Sequence, residues 1–260
     1  ASLACTVLVH PTDRAVMLGF AGFLPDTYEL DKDEAELARL QAEKTVTPDG
    51  LGTLVFDPKD DLLFDFGLPL PGHANGLILN GRDAQGDIVV SETYYSVGGG
   101  FVMTADELAS GANTDDGPPV PYAFHTAAEM LEMAAASGKS IAEMKRANEL
   151  SRMGISALED GLKRLWEVMN DCIARGLERD GILPGGLSVK RRAKGIHEAL
   201  EAERGMNLSA PHTINDWISV YAMAVNEENA AGGQVVTAPT NGAAGVVPAT
   251  IRYWLDHVPG

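Results

Sequence analysis

The chain has 260 residues, 45% of them hydrophobic and 22% charged, which suits one large domain or two modest ones and excludes wholesale disorder. Twenty Lys and Arg stand against 37 Asp and Glu, a formal charge of −17 that repels nucleic-acid phosphates and anionic lipid surfaces alike. No apolar run approaches a membrane span, no basic-then-apolar export signal opens the chain, and only two cysteines, Cys5 and Cys172, occur; the expected setting is a reducing cytoplasm without a disulfide framework.

In chain order, the first predicted element is a helix over 31–44, with Leu37 and Leu40 three apart and an acidic first turn. Leu51–Phe56, Gly76–Leu79 and Asp87–Val97 are rich in β-formers and bounded by Gly, Asp, Asn and Pro. They are expected to form one sheet, the last two joined as a hairpin through Asn80-Gly81 to Gly86. A polar stretch rich in Gly and Pro, from Ser110 to Pro121, then reads as a linker. Charge shifts across it: residues 1–123 carry 6 basic and 20 acidic side chains, residues 124–260 carry 14 and 17.

Beyond the linker, Thr126-x-x-Glu129, Ser140-x-x-Glu143 and Ser156-x-x-Glu159 are capping-box signatures, each announcing a helix. The first helix closes at Ser137-Gly138. The third carries Leu162, Leu165, Trp166, Met169, Ile173 and Leu177 and stops before Asp180-Gly181. Further helical patterns cover 189–203 and 214–231. The expected fold class is α+β: an N-terminal α/β-sheet domain over 1–109, a linker over 110–123 and an all-helical domain over 124–260.

Three segments carry possible chemistry. Ser96-Val97-Gly98-Gly99-Gly100-Phe101 ends a predicted strand with three glycines, whose bare main chain can turn N–H groups toward a carboxylate or phosphate; a bulge or strand-end turn is the plain alternative. Thr237-Ala238-Pro239-Thr240-Asn241-Gly242 follows the amide-rich run Asn226 to Gln234 and lies between helical segments. A helix N-terminus there could bind an anion, or the loop could simply be well capped. In His10-Pro11-Thr12-Asp13, an aspartate could orient an imidazole suited to proton abstraction near neutrality. His73, His125, His197, His212 and His257 show no metal-ligand spacing, and Cys172 reads as a small core side chain.

Ser188-Val189-Lys190-Arg191-Arg192 matches the S-x-K-x-R spacing around the Schiff-base lysine of pyridoxal-phosphate dehydratases. Here the lysine follows the glycine triplet instead of preceding it and falls in a helical region, so a basic, solvated helix start is the better expectation.

Taken together, the segments resemble the bacterial iron–sulfur-dependent L-serine dehydratases, also called L-serine ammonia-lyases. The likeness runs through Ala1 to Gly22 (ASLACT…HPTDRAVMLGFAG), Leu68 to Gly76 (LPLPGHANG) and Thr93 to Phe101 (TYYSVGGGF). It continues in Pro121 to Phe124, Gly181 to Leu187 and the long run Ala224 to Ala249, AVNEENAAGGQVVTAPTNGAAGVVPA.

The resemblance implies a β-type domain joined to a helical catalytic domain, a [4Fe–4S] cluster acting as Lewis acid on the serine hydroxyl, and no pyridoxal phosphate. It implies L-serine as substrate, pyruvate and ammonia as products, and a homodimer. His10 matches the family's candidate base and Asp13 its orienting partner. Ser96, Gly98, Gly99, Gly100, Thr240, Asn241 and Gly242 match segments that line the substrate pocket. The family's Ser-Ser-Ser-His-Thr segment and its cluster cysteines have no counterpart here, neither Cys5 nor Cys172 replaces them, and position 244 is Ala where some relatives have Cys. The expectation is an internal fragment, with no metal ligands of its own and unable alone to dehydrate serine. The alternative is a non-catalytic amino-acid-binding or assembly module of the same fold.

Overall fold

The structure, a computed structural model, describes residues 3–4, 12–27, 30–111, 118–184, 186–204, 212–238 and 240–259. Its sheets lie in the N-terminal half and long helices dominate the C-terminal half, the expected α+β arrangement. Packing divides the chain into two units: Ala1–Ala109 together with Val168–Gly260, and Ser110–Glu167.

Within the first unit, helices α1 (Thr12–Phe20) and α2 (Leu30–Glu43) pack on a two-stranded ladder of β1 (Thr45–Val46) and β2 (Leu54–Val55). Met17 and Leu18 of α1, Leu37 and Leu40 of α2, Val46 and Phe56 form the core of this layer. The three-residue spacing read from the sequence does place Leu37 and Leu40 on one buried face. The strand expected over Leu51–Phe56 is cut to two residues and pairs with Thr45 and Val46, not with the later strands. The expectation of a single sheet is therefore corrected. Lys44, in the left-handed region at φ 54°, ends α2 and sends the chain straight into β1, where Phe56 N–H closes on its carbonyl.

The second sheet has the order β3 (Gly76–Arg82), β4 (Ile88–Gly98), β5 (Phe101–Thr104), all antiparallel. The predicted hairpin forms, but its strand runs past Asn80-Gly81 to Arg82, with an irregularity at Gly81/Arg82. The turn sits at Asp83–Asp87, where the Asp83 carboxylate accepts from the N–H groups of Gln85 and Asp87. β5 and the short helix α3 (Ala105–Ser110) are elements to which the sequence reading assigned no secondary structure. Thr104 and Glu107 exchange capping hydrogen bonds at the start of α3.

In the second unit, α4 (Ala127–Ser137) and α5 (Ile141–Leu150) carry complete capping boxes at Thr126/Glu129 and Ser140/Glu143, and Gly138 closes α4 in the left-handed conformation. The third expected box does not form. Helix α6 (Ile155–Glu178) begins one residue before Ser156, and the Glu159 carboxylate pairs with Arg146 at 3.2 Å instead.

Three further helices complete the first unit: α7 (Ala193–Glu203), α8 (Thr213–Ala230) and α9 (Asn241–His257). Their core joins Cys172 and Ile173 of α6 to Ala193, Leu200, Trp217 and Val220 of α7 and α8. Backbones approach closely at two glycines. A Cβ on Gly176 would lie 2.4 Å from the Ala224 carbonyl oxygen, and one on Gly245 would lie 3.2 Å from the Ala222 carbonyl oxygen. The helical pattern expected from residue 189 starts later, at Ala193, because Lys190 is held in a bridge to Ile182 and the Arg191 N–H donates to the Gly181 carbonyl. Lys190 is thus not at a helix start.

Candidate active site

The three glycines of the Ser96–Phe101 segment close the β4–β5 hairpin. Gly98 pairs with Phe101 and the two central residues are Gly99 and Gly100; φ is 101°, 61° and 86° along the triplet, a run that side-chain-bearing residues rarely adopt. Bare main chain is therefore a requirement of this turn. Ser96, half-buried on β4, stands opposite Val102.

This turn meets the second predicted segment. A Cβ on Gly100 would lie 3.5 Å from Thr237 Cγ2, so the hairpin tip lies against the stretch that leads into α9. Gln234 reaches the N-terminal layer too, its Nε2 donating to the Pro25 carbonyl at 3.4 Å. Thr240 is the N-cap of α9 and its Oγ1 accepts from the Ala243 N–H at 3.2 Å. Asn241 is the first helical residue, and Gly242 is exposed beside Thr240. The glycine turn, Thr237 and a helix N-terminus thus lie in one unit, with the first two in contact and Thr240 three residues further along the chain.

Asp13 lies in the first turn of α1 and is half-buried. Among the described residues no hydrogen bond or ion pair links it to the glycine turn or to Thr240. His10 and Cys5 lie outside the described residues. His73 accepts the Asn75 N–H on its Nδ1 and His197 packs edge-on against Trp217, so both have structural company. His257 stacks on Tyr253, and burial lowers its pKa.

Sequence reasoning gave no role to Glu227 and Glu228, which α8 buries side by side. Glu227 accepts from the N–H groups of Arg192 at 2.7 Å and Ala193 at 3.3 Å, satisfying the start of α7, where Arg192 offers no side-chain cap. Glu228, fully buried, is bonded by Arg191 Nη1 at 3.0 Å, Arg175 Nε at 3.3 Å and Arg179 Nη1 at 3.4 Å. Its carbonyl accepts the Gly233 N–H at 2.8 Å, and Arg175 Nη2 donates to the Gln234 carbonyl at 3.2 Å. Two glutamates inside a helix followed by Gly-Gly are the only local sign of this network; the partners of the two carboxylates lie 34 to 53 residues away.

A cleft of about 620 Å3 is lined by Asp180, Lys190, Arg191, Arg192 and Lys194 among others, none of them on the glycine turn or at the start of α9. Among the described residues no group of three or more His, Cys, Asp and Glu side chains could hold a metal ion. Cys172 sits in the helical core, and burial pushes its thiol up to about 11, the opposite of what a thiolate ligand needs. The described residues do not fit an iron–sulfur cluster. Nor, among them, is any helix long and apolar enough to cross a membrane.

Two family models match. One described as serine dehydratase beta chain covers residues 1–107, and one described as serine dehydratase alpha chain covers residues 123–259. The chain is 40% identical over 259 residues to an L-serine dehydratase of Streptomyces coelicolor, spanning 100% of this chain and 56% of that protein. It is 38% identical to L-serine dehydratase TdcG of Escherichia coli (97% of this chain, 55% of the relative) and 37% identical to an L-serine dehydratase of Helicobacter pylori (99% and 56%). The chain spans about half the length of the curated relatives it matches.

Proposed function

The chain belongs to the serine dehydratase family, and from that premise we propose that it is part of an L-serine ammonia-lyase, which converts L-serine to pyruvate and ammonia. The observation that carries this is the meeting of the Gly98–Gly100 turn with Thr237 on the approach to the Thr240-capped helix α9. L-Serine presents a carboxylate, an α-proton and a hydroxyl, and these segments offer groups suited to the first. Main-chain N–H groups of Gly98, Gly99 and Gly100 bind the substrate carboxylate, with Ser96 beside them. Thr240, Asn241 and Gly242 hold it from the α9 side with side-chain and main-chain hydrogen bonds, aided by the helix dipole.

His10 removes the α-proton and Asp13 orients its imidazole. The electron pair left on the α-carbon forms the double bond of aminoacrylate as the hydroxyl departs with a proton as water. Aminoacrylate tautomerises to the imine, and water hydrolyses the imine to pyruvate and ammonia. A [4Fe–4S] cluster takes three or four thiolates, whereas this chain has two cysteines, one of them buried with a raised pKa. Any cluster ligands are therefore assigned outside these 260 residues, and no step above runs through them. The domain limits 1–109 and 124–260, the cytoplasmic setting and the homodimer belong to the same proposal.

Pyruvate release from L-serine by the full-length protein, followed under anaerobic conditions, tests the proposal. Turnover is expected, falling by roughly 10^2 to 10^4 in kcat on His10→Ala. L-Serine binding by calorimetry without any pyruvate would instead favour a non-catalytic amino-acid-binding module.

A further inference from the structure

We propose that Glu228 is a positioning residue for the substrate-binding turn, tying the exit of α8 so that Thr237 is presented to the Gly98–Gly100 hairpin. The inference rests on the preceding assignment of that turn to L-serine.

Glu228 is fully buried, a place where a carboxylate is tolerated only with strong partners. One guanidinium would neutralise it. Three surround it, from two separate stretches: Arg175 in the last turn of α6 with Arg179 just past its end, and Arg191 just after the Ile182–Lys190 bridge. The outgoing chain is pressed onto this carboxylate. A Cβ on Gly233 would lie 2.8 Å from Glu228 Oε2, while the Gly233 N–H is already bonded to the Glu228 carbonyl. Arg175 extends the hold by one residue, bonding the Gln234 carbonyl as well as the carboxylate. Gln234 in turn reaches the Pro25 carbonyl, and three residues later Thr237 lies beside the glycine hairpin, where a Cβ on Gly100 would meet its methyl group. The stretch held at Gly233 and Gln234 by Glu228 and Arg175 therefore leads within three residues to the segment beside the turn.

Glu227 is the natural contrast. It is also buried and also on α8, but its carboxylate is committed to the main chain at the start of α7 and, among the described residues, bonds nothing in the outgoing loop. Adjacent acids of the same helix thus separate a fold-supporting role from a turn-positioning one.

Amide hydrogen exchange, read by mass spectrometry on the 260-residue chain, distinguishes the two. Glu228→Gln is expected to accelerate exchange at Gly233–Thr237 at least tenfold while residues 217–225 of α8 stay protected. Glu227→Gln is expected to loosen the first turn of α7 and leave Gly233–Thr237 unchanged. Should Glu228→Gln open α8 as a whole, Gly233→Ala decides, since it displaces the same main chain while keeping every charge. Unchanged protection at Gly233–Thr237 in that variant overturns the inference.

In the full-length protein, Glu228→Gln is expected to raise the KM for L-serine at least tenfold with a smaller change in kcat, and Glu228→Asp to recover part of it. A lowered unfolding midpoint with KM unaltered means a structural role only, and also overturns the inference. If the exchange pattern appears but the wild-type protein neither binds nor turns over L-serine, the substrate assignment fails and the tether stands.

Discussion

Cys172 is 1% exposed among α6 and α8 side chains, and loss of hydration pushes its thiol up to about 11; Arg175 pulls it down and Glu228 adds to the rise. The thiolate is the reactive form, so at pH 8 only about one Cys172 in a thousand carries it, and that fraction is shielded. Iodoacetamide at pH 8 is expected to leave the Cys172 peptide unmodified in the native protein and to alkylate it fully in denaturant. Peptide mass mapping reads this directly, and rapid native labelling would contradict the burial described. The sequence already marks Cys172 as core, because it lies on the apolar face of a helix. The roles of Glu227 and Glu228 are not legible there, since each is decided by partners brought together from distant parts of the chain.

At the scale of elements, the features that could be read ahead are those written within four residues. Thr126/Glu129 and Ser140/Glu143 form capping boxes because donor and acceptor are neighbours in the chain. Ser156/Glu159 has the same letters, yet Arg146 on α5 takes the Glu159 carboxylate and the helix starts a residue earlier. β5 has four residues and β2 only two, too short to show an alternating pattern, and the pairing of β2 with β1 rests on the left-handed Lys44 that ends α2.

The boxes also set a pH dependence. Glu143 is held below the ordinary carboxylate range, first by the Ser140 N–H and then by its hydroxyl. A depressed folded-state pKa stabilises above the unfolded value, about 4.3, and that contribution is lost as pH falls through the folded pKa. Ser140→Ala is expected to cost about 1 kcal/mol at pH 7, measured by urea denaturation, and distinctly less once the pH has fallen through the depressed folded-state pKa of Glu143. An equal penalty on either side of that pKa would mean that the carboxylate plays no part.

For the whole molecule, charge and cysteine count set the limits. With a net charge of −17, the chain is expected to leave duplex DNA unshifted in a gel even at low ionic strength, where any phosphate-binding surface would be most evident. Function sets a sharper test. The curated relatives are nearly twice as long as the stretch they share with this chain, and two cysteines cannot complete a cluster that takes three or four. The glycine turn and the capped start of α9 nonetheless lie within one unit, so in the proposed function the groups assigned to the substrate carboxylate are on this chain while any cluster ligands are not. Anaerobic incubation of the 260-residue chain with iron, sulfide and reductant is accordingly expected to give no iron–sulfur absorption and no pyruvate from L-serine. The full-length protein, treated identically, is expected to give both. A brown, stable chromophore and turnover from the shorter chain alone would show that its own side chains suffice, and would move the site to residues other than those assigned above.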